Sequence, residues 1–202
     1  MKTERLNAFT DGVIAIVITI MVLELPTPHG VDAASLRPVA PLLGAYALSF
    51  VNVGIFWWNH HHMLQVAGHV DGRVLWANNF LLFWITLIPF VIRWIGEAGI
   101  AALPVAAYGA VLVMASIAYL LLERALIAVE GAQSKVLAAV GSRVKEWLSF
   151  AGYAGAIALA FVSPPIAIAI YVAIAAMWLV PDRRFERWHQ LAPPDPASHI
   201  PD

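Results

Sequence analysis

Near the N-terminus a hydroxyl and a carboxylate, Thr10 and Asp11, interrupt a mostly apolar run over residues 6–25. An ionisable side chain inside a membrane span is expensive, so it is retained where it binds helices together or handles ions. The same pair would also suit a helix start, where such side chains accept from unpaired N–H groups. By position alone both readings stand. Further on, Ile16, Thr19, Ile20 and Leu23 recur at i, i+3, i+4 and i+7, which lines them along one helical face with a single hydroxyl. Asp11 precedes Ile16 by five residues, about 140° around a helix, and so lies off that stripe. Taken by composition, the stripe is an ordinary lipid-facing or packing surface.

The second chemistry-bearing cluster is His60-His61-His62. Adjacent helical residues point about 100° apart, so three in a row do not converge on one metal. His29, His69, His189 and His199 fall in loops or the tail and offer no second helix for haem ligation. One histidine is expected to pack against a neighbour while the others face the cytoplasmic interface. Ser49, Ser116, Ser149 and Ser163 lack a nearby His/Asp arrangement, and no His-Glu-x-x-His motif occurs. Glu123 and Arg124 read as an interfacial anchor at the inner end of a helix. No enzyme chemistry and no resident cofactor are expected. Cysteine is absent, which removes disulfides, thiolate metal sites and cysteine nucleophiles together.

The elements that position these residues follow from composition. Of 202 residues 61% are hydrophobic and 12% charged, with mean hydropathy +0.77. Soluble domains sit nearer 45–50% apolar and about 25% charged, so lipid must solvate much of this surface. A net charge of -1 offers no basic field to nucleic acid. Runs of about 20 apolar residues are long enough to span the membrane. Six are expected, over 6–25, 38–64, 74–95, 101–129, 147–162 and 166–180, giving an all-α integral membrane fold. Ser163-Pro164-Pro165 turns the last pair into a hairpin. The first run carries Asp11 and reaches Leu25 with no small-residue cleavage site, so it reads as a retained helix rather than a signal peptide. Ten of the twelve Lys and Arg residues fall on one side of the six-span arrangement, Arg37 and Arg93 being the others. This bias places both termini in the cytoplasm. One transmembrane domain is expected over residues 1–188, followed by a Pro-rich, flexible tail over 189–202.

The run Arg5-x-x-x-Phe9-Thr10-Asp11-Gly12-Val13, continued by Ala15-Ile16-x-Ile18-Thr19, resembles the signature of the transmembrane protein 175 family. That family comprises the lysosomal potassium channel of animals and its prokaryotic relatives. Its hallmark is Arg-x-x-x-Phe-Ser-Asp in the first helix, and Thr10 keeps the hydroxyl of the usual serine. Trp58-Asn59-His60-His61, Leu75-Trp76-x-Asn78, Leu87-Ile88-Pro89-Phe90 and Gly96-Glu97 agree in style, so the resemblance covers residues 4–97 and rests on helix count beyond. It implies a modestly potassium-selective leak channel in the plasma membrane, a homotetramer of six-helix subunits with the pore lined by first helices. Carried over residue by residue, Ile16 is the main hydrophobic constriction, with Ile20 and Leu23 beyond it. Thr19 offers a ring of hydroxyls near a transient potassium ion. Arg5, Phe9, Thr10 and Asp11 form the structural motif, with Arg5, Thr10 and Asp11 tying the first helix to His60 or His61, Trp76 and Asn78.

Two other classes compete. A secondary transporter or proton-coupled carrier would use Asp11 as its coupling carboxylate, although inverted repeats and broken helices are not visible. A structural membrane subunit would pass no ions at all.

Overall fold

The computed structural model describes residues 3–131, 134–139 and 143–179. The expected flexible tail and the basic residues Lys2, Arg183, Arg184 and Arg187 lie outside the described residues. Within them the fold is all-helical: α1 (Thr3–Leu23), α2 (Ala40–Val66), α3 (Gly72–Thr86), α4 (Ile88–Ala98), α5 (Ala102–Glu130), α6 (Lys135–Ala139), α7 (Val144–Ala160) and α8 (Pro164–Leu179), with a 3-10 turn over Ala33–Leu36. Four segments are long and apolar enough to cross a membrane: α1, α2, the joined α3–α4 stretch Gly72–Ala98, and α5.

The third expected span is thus two helices. Pro89 has no N–H to return to the preceding turn, and the bonding pattern breaks at Leu87, whose N–H turns back to the Trp84 carbonyl at 3.2 Å. The start of α3 is fixed by Asp71, whose carboxylate accepts from the Arg73 and Val74 N–H groups at 2.9 and 3.0 Å. The closing hairpin forms close to its expected bounds: α7 has 17 residues and α8 has 16, each about 25 Å long.

Helix α5 is the central post, packed against α3, α4, α7 and α8. Ala115 and Ala118 keep its flanks narrow, while Leu112, Leu122 and Leu126 fill the spaces between neighbours. At Gly109 an added Cβ would run into the Tyr171 hydroxyl and Ile157, so α8 seats against bare backbone there. Glu123 is not the interfacial anchor expected from its place beside Arg124. It is buried, and Arg143 at the start of α7 pairs with it at 2.7 Å, because a carboxylate this far inside needs a countercharge. Ion pairs and loop contacts order the helix ends. Arg93 of α4 bridges Glu24, just beyond α1, at 3.7 Å and Glu97 at 2.8 Å. At the opposite ends, Glu130 accepts from the Gly68 N–H at 2.8 Å.

Candidate functional site on the first helix

Helix α1 has two faces with different fates. Leu6, Thr10, Ile14, Val17 and Met21 recur every three or four residues and are buried against α2, α3 and α4. The far side is open: Ile16 is 59% exposed, Ile20 40% and Leu23 80%, and Thr19 is exposed with them. Nine residues separate Thr10 from Thr19, half a circle at 100° each. One hydroxyl therefore faces the core while the other faces away from it.

The inward hydroxyl enters a three-helix hydrogen-bond cluster. Asn78 of α3 donates through Nδ2 to Thr10 Oγ1 at 3.0 Å, and Thr10 lies 3.3 Å from Asn78 Oδ1. The same Oδ1 is 2.7 Å from His60 Nε2 of α2. A carbonyl oxygen only accepts, so this bond assigns the proton to His60 Nε2. Thr10, Asn78 and His60 are all buried, where their shared hydrogen bonds fix one register between helices, while His60 Nδ1 has no partner among the described residues.

A second layer sits half-buried beside it. Trp57 Nε1 donates to Asp11 Oδ1 at 2.8 Å, and Asn7 donates to Asp11 Oδ2 at 3.4 Å and to His61 Nδ1 at 3.1 Å. The Trp57 and His61 rings stack with centroids 5.8 Å apart. Both histidines therefore serve α1, through different partners. The capping reading of Asp11 fails, because α1 already begins at Thr3 and Asp11 sits in its third turn bonded to another helix.

The expected set is only partly assembled. Thr10, Asp11, His60, His61 and Asn78 come together, whereas Trp76 does not: its indole is 77% exposed and makes no hydrogen bond among the described residues. It lies two positions before Asn78 on α3, about 200° around, so it cannot share Asn78's inward face. Arg5 and Phe9 are exposed too, and Arg5 has no hydrogen bond or ion pair among the described residues. Sequence reading missed Asn7 and Trp57. The signal was available for Asn7, which shares a face with Thr10 and Asp11 at i+3 and i+4. Trp57 sits on α2, and its bond to Asp11 depends on how the two helices meet, which no local spacing states.

On the open face, Thr19 Oγ1 donates its proton to the Ile16 carbonyl at 2.8 Å. What this hydroxyl presents outward is its lone pairs, the half of the group that attracts a cation.

Residues 5–89 match the family described as endosomal/lysosomal potassium channel TMEM175. A potassium channel from Chryseobacterium sp. (strain P1-3) is 49% identical over 187 residues, spanning 93% of this chain and 97% of that one. The human endosomal/lysosomal proton channel TMEM175 is 36% identical over 93 residues, 44% of this chain and 18% of its own length. The crystal structure of a lysosomal potassium-selective channel TMEM175 homolog from Chamaesiphon minutus is similar with a TM-score of 0.71 and 25% identity, over 88% of this chain and 96% of that one. The match to the bacterial relative runs nearly end to end in both chains, and the family match begins on the Arg5 motif and ends on Pro89, beyond the Asn78 cluster. The chain belongs to the TMEM175 family, which is a family of ion channels and not of enzymes.

Proposed function

We propose that the chain is one subunit of a homotetrameric, modestly potassium-selective leak channel of the plasma membrane, with the first helices of four copies surrounding the conduction axis. The observation that carries this reading is the exposed stripe Ile16, Thr19, Ile20 and Leu23 on a helix whose other face is buried and hydrogen-bonded. Four such stripes around an axis make a narrow apolar neck at Ile16. Water leaves such a neck readily, and ion flow stops until a small outward tilt wets it again. The Thr19 oxygens, their protons turned to the backbone, supply lone pairs to a potassium ion in transit. The permeant ion is the only ligand required, and partners are copies of the chain and the lipid bilayer.

In this reading α7 and α8 complete six crossings per subunit, and the basic-residue bias puts both termini in the cytoplasm. The transmembrane domain runs over residues 1–188 and the tail over 189–202. Support for keeping Asp11 off the axis comes from its partners, since both oxygens accept bonds from Trp57 and Asn7.

Potassium flux through purified protein in liposomes tests the function. A channel dissipates the gradient faster than any alternating-access carrier, so carrier-like rates would favour a transporter working through Asp11. Ile16→Asn in the same liposomes hydrates the neck and should raise the leak several-fold. Unchanged conductance removes Ile16 from the gate.

A further inference from the structure

Away from α1, the helices α2, α5, α7 and α8 enclose a half-open cleft holding about 540 Å³ of empty space, including its mouth. Five of the side chains that line it are aromatic: Phe56, Tyr119, Phe150, Tyr153 and Trp178. Among the described residues Glu146 is the only acidic or basic one lining it. Its Oε2 is buried and has no hydrogen-bond partner among the described residues. Arg143, three residues before Glu146, is engaged with Glu123 at 2.7 Å. Lys145 lies over the Trp178 ring at 5.8 Å and is not a wall of the cleft. A buried carboxylate oxygen calls for an N–H or O–H donor. Aromatic faces around it favour a cation with an apolar body.

We propose that this cleft is a binding site for a primary ammonium group carrying an apolar body, with Glu146 accepting its N–H and the aromatic walls surrounding the rest. The group arrives either on a soluble amine or on the headgroup of phosphatidylethanolamine. The site is separate from the open α1 stripe and does not depend on how ions pass.

The probe is benzylamine, titrated calorimetrically into the purified full-length chain in detergent. One saturable site per chain is expected, at least tenfold weaker in Glu146→Gln. Benzyltrimethylammonium, with the same charge and ring but no N–H, should bind at least tenfold more weakly than benzylamine. Equal affinity in Glu146→Gln, or one site per assembly as an axial blocker would give, overturns the proposal. A second variant guards against misfolding. The chain has no cysteine, so Ser116→Cys places one thiol on the cleft wall. Its labelling in phosphatidylcholine nanodiscs should slow several-fold with benzylamine, or in phosphatidylethanolamine nanodiscs without it. The first result assigns the group to a soluble amine and the second to lipid. Unchanged labelling in both overturns the proposal.

Discussion

Asn78 is the side chain on which the attachment of α1 turns, because its amide serves Thr10 and His60 at once. Removing it with Asn78→Leu leaves two buried polar groups without a partner, at about 1–3 kcal/mol each. The variant should melt well below the parent in thermal unfolding, whereas Thr10→Ser, which keeps the hydroxyl, should melt close to it. Asp11→Asn replaces the carboxylate that accepts from Trp57 Nε1 and should weaken assembly or gating. The potassium-to-sodium permeability ratio, read from reversal potentials, should stay put, and a large change would place Asp11 on the ion path. At this scale the sequence was half legible. The hydroxyl–carboxylate pair in an apolar run announced a functional contact, and Asn78 was named for it. Its division between His60 and His61 was not readable, since adjacent histidines differ only by 100° of azimuth and nothing in the sequence states how α2 is rotated. For Trp76 the spacing was available, since two residues before Asn78 it stands about 200° around α3 and faces away from the cluster.

Helices pack by shape at close range, and glycine shows this at the scale of elements. Gly44 in α2 has nothing within 4 Å of an added Cβ, whereas Gly109 in α5 would strike Tyr171 and Ile157. Gly44→Ala should therefore hold or raise stability by up to about 1 kcal/mol through helix propensity. Gly109→Ala should lower it by about 1–3 kcal/mol as α8 is forced outward. Paired thermal melts in one detergent check both, and equal effects would contradict the close seating of α8. Helix positions were largely legible, because apolar runs of spanning length leave few alternatives. The break at Leu87 was not foreseen, although Pro89 stood in plain view, because hydropathy continues across it without a dip. The burial of Glu123 was hidden for a different reason. Its partner Arg143 is twenty residues away, beyond the range of any local pattern.

For the whole molecule the question is which surface meets another copy. Apolar exposure is no guide by itself in a membrane protein, since lipid accepts it everywhere. The stripe on α1 is backed by a buried opposite face, but so are the exposed Trp76 and Phe83 of α3, and it is the family resemblance that singles out α1. In this cysteine-free chain, Leu23→Cys should form disulfide-linked dimers in the bilayer under mild oxidation, seen on non-reducing gels. Val17→Cys, on the buried face, should remain monomeric. Crosslinking at Val17 in place of Leu23 would put another helix at the centre. Membrane class was written in composition. Assembly was reachable only through family resemblance, because a single chain's pattern does not say whether an apolar stripe meets lipid or its own copy.

The fastening of α1 is lopsided. Asn7, Thr10 and Asp11 bond it to α2 and α3 within its first three turns, while beyond Ile14 it is held by apolar packing and, past its end, by the single 3.7 Å contact of Glu24 with Arg93. Such a rod pivots at its pinned foot. Leu23 stands about 20 Å from Thr10 along the axis and Ile16 about 9 Å, so a tilt of about 5° swings the tip by roughly 1.7 Å and the waist by roughly half that. In the proposed tetramer the outer rim would dilate first and furthest, leaving the four Ile16 side chains as the last place to fill with water.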